Sequence, residues 1–185
     1  MEKVNTIKHA VLSGGIILLV SFFLSSCFQE PTYSKVPQIK FKGFSRYALQ
    51  AGSGVGQSRR DSVVITIGFT DGDGDLGNTL PVDSLEIDRY KQAGGWGNYK
   101  IITLQLKNGQ YQPLSTGENT SLFFPRLSRE GKTGPIEGDL ELEQLYPYGN
   151  SFTIIPTKYR IQIRDRALNV SNEIETDTIH IPYSY

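Results

Sequence analysis

Along most of the chain, apolar side chains recur at every second position. From Ser62 to Phe69, Val63, Ile65, Ile67 and Phe69 point one way, and Ser62, Val64, Thr66 and Gly68 the other. From Lys158 to Asp165 the pattern repeats, with Tyr159, Ile161 and Ile163 inward and Lys158, Arg160, Gln162 and Arg164 outward. A period of two describes a strand with one face on a core and one in water. The same reading places strands at Ile39–Tyr47, Leu85–Tyr90, Tyr99–Lys107, Tyr111–Leu114, Ser121–Leu127, Leu140–Leu145 and Glu173–Ile181. Asn108-Gly109 between two of them signals a hairpin. The glycine- and serine-rich stretch from Gln50 to Arg60 has no period and reads as a loop. No stretch carries a helical stripe. Short strands punctuated by turns predict an all-β chain folded as a two-sheet sandwich.

The N-terminus departs from this pattern. Lys3 and Lys8 precede a short apolar run, Ala10 to Leu24, which contains Gly14 and Gly15. Such a run is too short for a spanning helix and reads as a signal peptide. It ends in Leu24-Ser25-Ser26-Cys27. These four residues resemble the lipobox of bacterial lipoproteins. The resemblance implies a signal peptide over residues 1–26, cleavage before Cys27, and diacylglyceryl modification and N-acylation of that cysteine. Two or three acyl chains anchor stably, because each buried methylene contributes about 0.8 kcal/mol. Residues 27–37, polar and holding two prolines, read as a lipidated tether, and residues 38–185 as the folded domain. By analogy with export rules, Phe28 in place of aspartate favours the outer membrane, and Glu30 hints at surface export. Cys27 is the only cysteine, so the mature chain has no disulfide.

Charge narrows the function classes. Removing Lys3, Lys8 and Glu2 from 19 basic and 19 acidic residues leaves 17 and 18. A near-neutral chain without a basic stripe gives no footprint for nucleic acid. Stability has to come from the core or from a bound ion.

The segment Ile155-Pro156-Thr157-Lys158-Tyr159-Arg160-Ile161 resembles the tyrosine-corner region of immunoglobulin-like and fibronectin type III domains. The resemblance implies that Ser62–Phe69 and Lys158–Arg164 lie in opposite sheets and run to the same end. The loops that follow them, Asp71-Gly72-Asp73-Gly74-Asp75-Leu76-Gly77 and Asp165-Arg166-Ala167-Leu168-Asn169, are then neighbours. Parity adds to this. Asp71 continues the inward column of Val63 to Phe69, and Asp165 continues that of Tyr159 to Ile163. Each carboxylate sits one step past the core, facing the other.

Two such charges about 4 Å apart repel by about 4 kcal/mol at an effective dielectric near 20. Protonation, splaying into water or a hard cation would each relieve this. Calcium takes six to eight oxygens, and alternate aspartates supply them along a short path. The expected ligand set is Asp71, Asp73, Asp75, Asp165 and Asn169. The loop is not an EF-hand: its sixth residue is Leu76 and its twelfth Val82, where that template needs Gly and Glu. The alternative is a turn-rich loop with solvated carboxylates.

Phe69-Thr70-Asp71-Gly72-Asp73-Gly74-Asp75-Leu76-Gly77, with Asp165-Arg166-Ala167-Leu168-Asn169-Val170-Ser171-Asn172 downstream, resembles a group of Bacteroidota lipoproteins of unknown function. Leu168 stands where their pattern has glycine. The resemblance implies an immunoglobulin-like envelope domain and no particular activity.

Other chemistry is thin. His180 is the one histidine after Cys27, which leaves no histidine-rich zinc site and no convincing triad. Trp96 and Tyr99 in a glycine-rich loop offer a sugar-stacking or partner-anchoring platform. The expected role is a non-enzymatic binding or accessory module whose partner is an envelope protein or glycan. The alternatives are a surface glycan-binding lipoprotein using Trp96 and Tyr99, and a small hydrolase using Asp71 or Asp165.

Overall fold

A computed structural model describes residues 30–52, 58–114, 122–128 and 132–184. The expected signal peptide and Cys27 lie outside the described residues, as do Ser121 and Tyr185. Contacts divide the chain into Met1–Pro31 and Thr32–Tyr185. Of the first unit only Glu30 and Pro31 are described, and both are exposed.

The second unit is built from eight strands and one helix among the described residues: β1 (Gln38–Leu49), β2 (Arg60–Asp71), α1 (Ser84–Gln92), β3 (Tyr99–Lys107), β4 (Gln110–Pro113), β5 (Ile136–Pro147), β6 (Phe152–Ile163), β7 (Ile174–Glu175) and β8 (Ile179–Ser184). One antiparallel sheet has the order β1-β2-β5. The other has the order β4-β3-β6, with β7 and β8 sharing the far edge of β6. The core lies between the sheets. β2 contributes Val63, Ile65, Ile67 and Phe69, β5 contributes Leu140 and Leu142, and β6 contributes Tyr159, Ile161 and Ile163. Each set has a spacing of two, so the alternation read in the sequence is the alternation of the pleat. β3 and β4 are joined through Asn108 (φ 51°) and Gly109 (φ 78°), the two left-handed residues that suit the twist of a tight hairpin.

Four expectations are corrected. Leu85–Tyr90 is the helix α1, not a strand. Asp83 caps it, its side chain accepting the Glu86 amide at 2.9 Å, and Arg89 and Lys91 occupy its last turn. Only Tyr90 is buried and Leu85 is 82% exposed, so the helix carries almost no apolar stripe. Ser121–Leu127 forms no strand among its described residues. Leu122 and Pro125 make isolated bridges to Tyr99 and Asn78, and the Phe124 amide donates to Asn98 Oδ1 at 2.9 Å. Glu173–Ile181 is split around Thr176, whose hydroxyl accepts the Tyr159 amide at 2.9 Å in place of a backbone carbonyl.

The fourth correction concerns the tyrosine corner. Tyr159 is fully buried, but its hydroxyl bonds the Tyr146 hydroxyl of the facing sheet rather than a nearby backbone group. Pro156 lies within β6, not at a corner before it. The two-sheet all-β architecture therefore stands without that signature.

Candidate metal centre

β2 and β6 belong to opposite sheets, and the turns that leave them meet. β2 ends at Asp71 and β6 at Ile163. One carboxylate oxygen from each of Asp71, Asp75 and Asp165 lies within 4.8 Å of the others. Asp71 and Asp165 are fully buried, and Asp75 is half-buried. The convergence follows from parity: an inward column of three or four apolar residues delivers its next member to the rim of the core.

The loop is wound around its own carboxylates. Asp71 Oδ2 accepts the Asp75 amide at 3.0 Å. Asp75 Oδ2 accepts the Ala167 amide at 3.0 Å, and the Asp75 carbonyl accepts the Arg166 amide at 3.2 Å. These two bonds tie the first acidic turn to the second. Arg166 adds a guanidinium bond to the Gly77 carbonyl at 2.9 Å. In the second turn, Asp165 Oδ1 accepts the Asn169 amide at 2.7 Å and Oδ2 accepts Asn169 Nδ2 at 2.8 Å. Leu168 takes φ 70°, the conformation glycine would hold without strain.

Three oxygens are left over. Asp71 Oδ1, Asp73 Oδ1 and Asp75 Oδ1 are buried and have no hydrogen-bond partner. Leaving a buried acceptor unsatisfied costs about 1–3 kcal/mol, and more when it is charged. Burial is the main cause that pushes Asp71 up to about 6, and Asp73 and Asp75 add repulsion. Asp75 is raised by burial and then by Asp165 and Asp73, against the Ala167 amide and Arg166. Asp165 is raised by burial, against the bonds from Asn169. Proton, cation or strain must settle this charge. The donor set, hard carboxylate oxygens on a short loop, suits calcium and not a soft metal.

The five expected ligands divide. Asp71, Asp75 and Asp165 come together. Asp73 stands close enough to raise Asp71 and Asp165, and holds an orphaned oxygen of its own. Asn169 donates both its backbone and its side-chain N–H to Asp165, which fixes it beside the cluster.

The aromatic pair does not form a shared platform. The Arg164 guanidinium lies 4.2 Å from the Trp96 ring centroid, and Tyr99 packs against Phe124 and the core. Arg164 itself is a correction. Its parity is outward, yet it is fully buried, because α1 and the loop after it cover that end of β6. Its Nε donates to the Gly97 carbonyl at 2.8 Å, and Nη1 to Ala93 at 2.7 Å. Nη2 donates to Tyr90 at 2.8 Å and also to Trp96. Carbonyl oxygens and two aromatic faces take its charge where a carboxylate would be usual. Desolvation lowers its pKa. Nothing in a strand pattern reveals this clamp, although the capping spacing Asp83 to Glu86 does mark the helix it holds.

A groove of about 510 Å³ runs over the β1-β2-β5 sheet, lined by Lys40, Lys42, Gly68, Thr70, Glu137 and Asp139 among others. It includes neither Asp71 nor Asp165, so the carboxylates expected for a hydrolase do not open into it. His180 is exposed on β8, and its carbonyl accepts from Arg46. Among the described residues, no helix is long and apolar enough to cross a membrane. Comparison with protein-family models, curated proteins and solved structures found no match to the chain.

Proposed function

We propose that this chain is a lipid-anchored, non-enzymatic module of the bacterial envelope whose acidic pole binds calcium. The anchor rests on Leu24-Ser25-Ser26-Cys27, with Cys27 as the lipidated residue and the outer membrane as its address. The immunoglobulin-like assignment of the sandwich rests on the sequence resemblance and on the placement of β2 and β6 in opposite sheets. The observation that carries the ion is the gathering of Asp71, Asp75 and Asp165 beside three buried oxygens that nothing bonds.

The ion offsets the mutual repulsion of four aspartates and supplies the missing partner of Asp71 Oδ1, Asp73 Oδ1 and Asp75 Oδ1. Affinity is expected in the range of extracellular calcium modules, about 10⁻⁴ to 10⁻³ M. Calcium at about thirty times Kd then contributes about 2 kcal/mol, which raises Tm by about 4–8 °C for a domain of this size. Calorimetric titration with calcium chloride and thermal melts in calcium and in EDTA test this directly. A flat titration with identical melts removes the ion from the account.

A further inference from the structure

The residues between the aspartates receive other parts of the chain. A Cβ on Gly72 would fall 2.4 Å from the Tyr33 carbonyl oxygen and 2.9 Å from that of Ser34, so only glycine admits this contact. The Gly72 amide donates to the Ser34 carbonyl at 2.8 Å. Gly74, at φ 70°, meets the Gly134 carbonyl in the same way, while the Gly134 amide donates to Asp73 at 3.3 Å. The acidic loop is thus the seat on which residues 33–37, expected to be a free tether, are laid.

The hold on this segment is slight. Thr32, Ser34, Lys35 and Val36 are exposed, and Pro37 alone is buried. Beyond the bond at Gly72, Tyr33 donates its hydroxyl to Glu137 Oε2 at 2.7 Å, on the surface. Such a contact opens at low free energy, and the loop that seats it governs it. Gly72 lies directly between Asp71 and Asp73. Any change in how those two carboxylates are spaced moves the amide that holds Ser34.

The geometry points to a latch: calcium in the acidic pole fastens residues 33–37 to the domain, and its loss frees them. The latch rests on the calcium reading above. It also gives that ion a consequence at the membrane. With the segment fastened, residues 28–32 separate Cys27 from Tyr33, a reach of at most about 22 Å. With it freed as far as Pro37, residues 28–36 separate Cys27 from the domain, a reach of at most about 36 Å. The partner that the pole holds is therefore the chain's own membrane leash, at a distance that the ion sets.

Tryptic cleavage after Lys35 in the full chain, followed by mass spectrometry, reads the latch. Cleavage after Lys91, an exposed site in α1, serves as the internal reference for opening elsewhere. Calcium is expected to slow cleavage at Lys35 at least about fivefold relative to Lys91, and EDTA to restore it. Gly72→Ala, which keeps every carboxylate, is expected to be cut quickly in both conditions. Tyr33→Phe, which removes only the hydroxyl bonded to Glu137 and no aspartate contact, is expected to be cut faster than the natural chain in both while keeping its calcium dependence. Calorimetric calcium binding with an unchanged ratio at Lys35 overturns the latch and leaves the ion in place. Absence of calorimetric binding fells both.

Discussion

Two buried aspartates sit at the two ends of β2, ten positions apart and on the same inward face, and the protein treats them oppositely. Asp61, at the first end, is 1% exposed. Arg46 reaches its Oδ2 through Nε at 2.8 Å and through Nη2, and the Tyr148 hydroxyl stands 3.1 Å from its Oδ1. Asp71, at the other end, is fully buried with a single backbone bond, and its nearest charged neighbours are more aspartates. The fold thus supplies an internal cation where it needs one to bury a carboxylate. At the acidic end no cation among the described residues pairs with a carboxylate of the cluster: Arg166 is near enough to lower Asp75 but turns its guanidinium to the Leu76 and Gly77 carbonyls. One end is a finished ion pair. The other has the form of half of one, and in the proposed reading a cation is the other half.

The sharpest way to break this comparison is to neutralise each aspartate in turn. Asp61→Asn removes the charge that Arg46 and Tyr148 face. Breaking a buried pair costs about 3–5 kcal/mol. The Arg46 side chain is 40% exposed and turns to water when released, so about 2–4 kcal/mol is expected here. Asp71→Asn has the opposite sign. In EDTA it removes a buried charge that repels its neighbours, and a gain of about 1–2 kcal/mol is expected. The same variant is expected to lose the rise in Tm proposed for calcium. Urea melts of both variants, each with EDTA and with calcium, give the comparison in one experiment. Destabilisation by Asp71→Asn in EDTA would mean that the acidic end is already satisfied.

The contrast was partly legible. The immunoglobulin-like resemblance brought the two loops to one end, and parity turned Asp71 and Asp165 toward the same rim, because a strand's alternation is rigid and continues past the last apolar residue. Asp61 was passed over for the same reason that Arg164 was misplaced. Parity says which way a side chain points, not what covers it, and the covering pieces are non-local. Arg46 comes from the neighbouring strand β1, and the lid over Arg164 from α1 and the loop after it. The helix was missed because its stability lies in a cap and one buried tyrosine rather than a stripe. The docking of Tyr33–Pro37 was missed because the reason for it is a glycine in another loop. Gly72 and Gly74 stand in the sequence only as spacers between aspartates, and in the fold they are where other backbone approaches.

Acidity sharpens the comparison further. The unfolded Asp71 carboxyl titrates near 3.8 and the folded one near 6. Between these values the folded chain holds a proton that the unfolded chain has lost, so stability without calcium falls as pH rises across that window. If calcium binds as proposed, it competes for the same oxygens and holds the folded carboxyl ionised. In saturating calcium the fall contributed by this group is then abolished across the window, and a rise with pH is confined to the neighbourhood of 3.8, where the unfolded carboxyl still binds a proton. Tm of the natural chain minus that of Asp71→Asn, followed across the window in EDTA and in calcium, isolates the group from the other carboxylates. An equal fall with pH in the two conditions would contradict cation binding at Asp71.

The smallest effect separates charge from backbone as the source of discomfort at the acidic end. Leu168 holds φ 70° in the turn that carries Asp165 and Asn169, a conformation that costs a non-glycine residue about 1–3 kcal/mol. Leu168→Gly relieves that strain but loosens the unfolded chain, so a net gain of about 0.5–1 kcal/mol is expected. The carboxylates are untouched, and the gain should be the same in EDTA and in calcium. Charge and strain are then additive contributions from one turn, with only the charge answering to the ion. If Leu168→Gly also shrinks the calcium response, the strained turn is itself what spaces the aspartates. The unlike treatment of the two ends of β2 would then trace to backbone geometry as much as to a missing arginine.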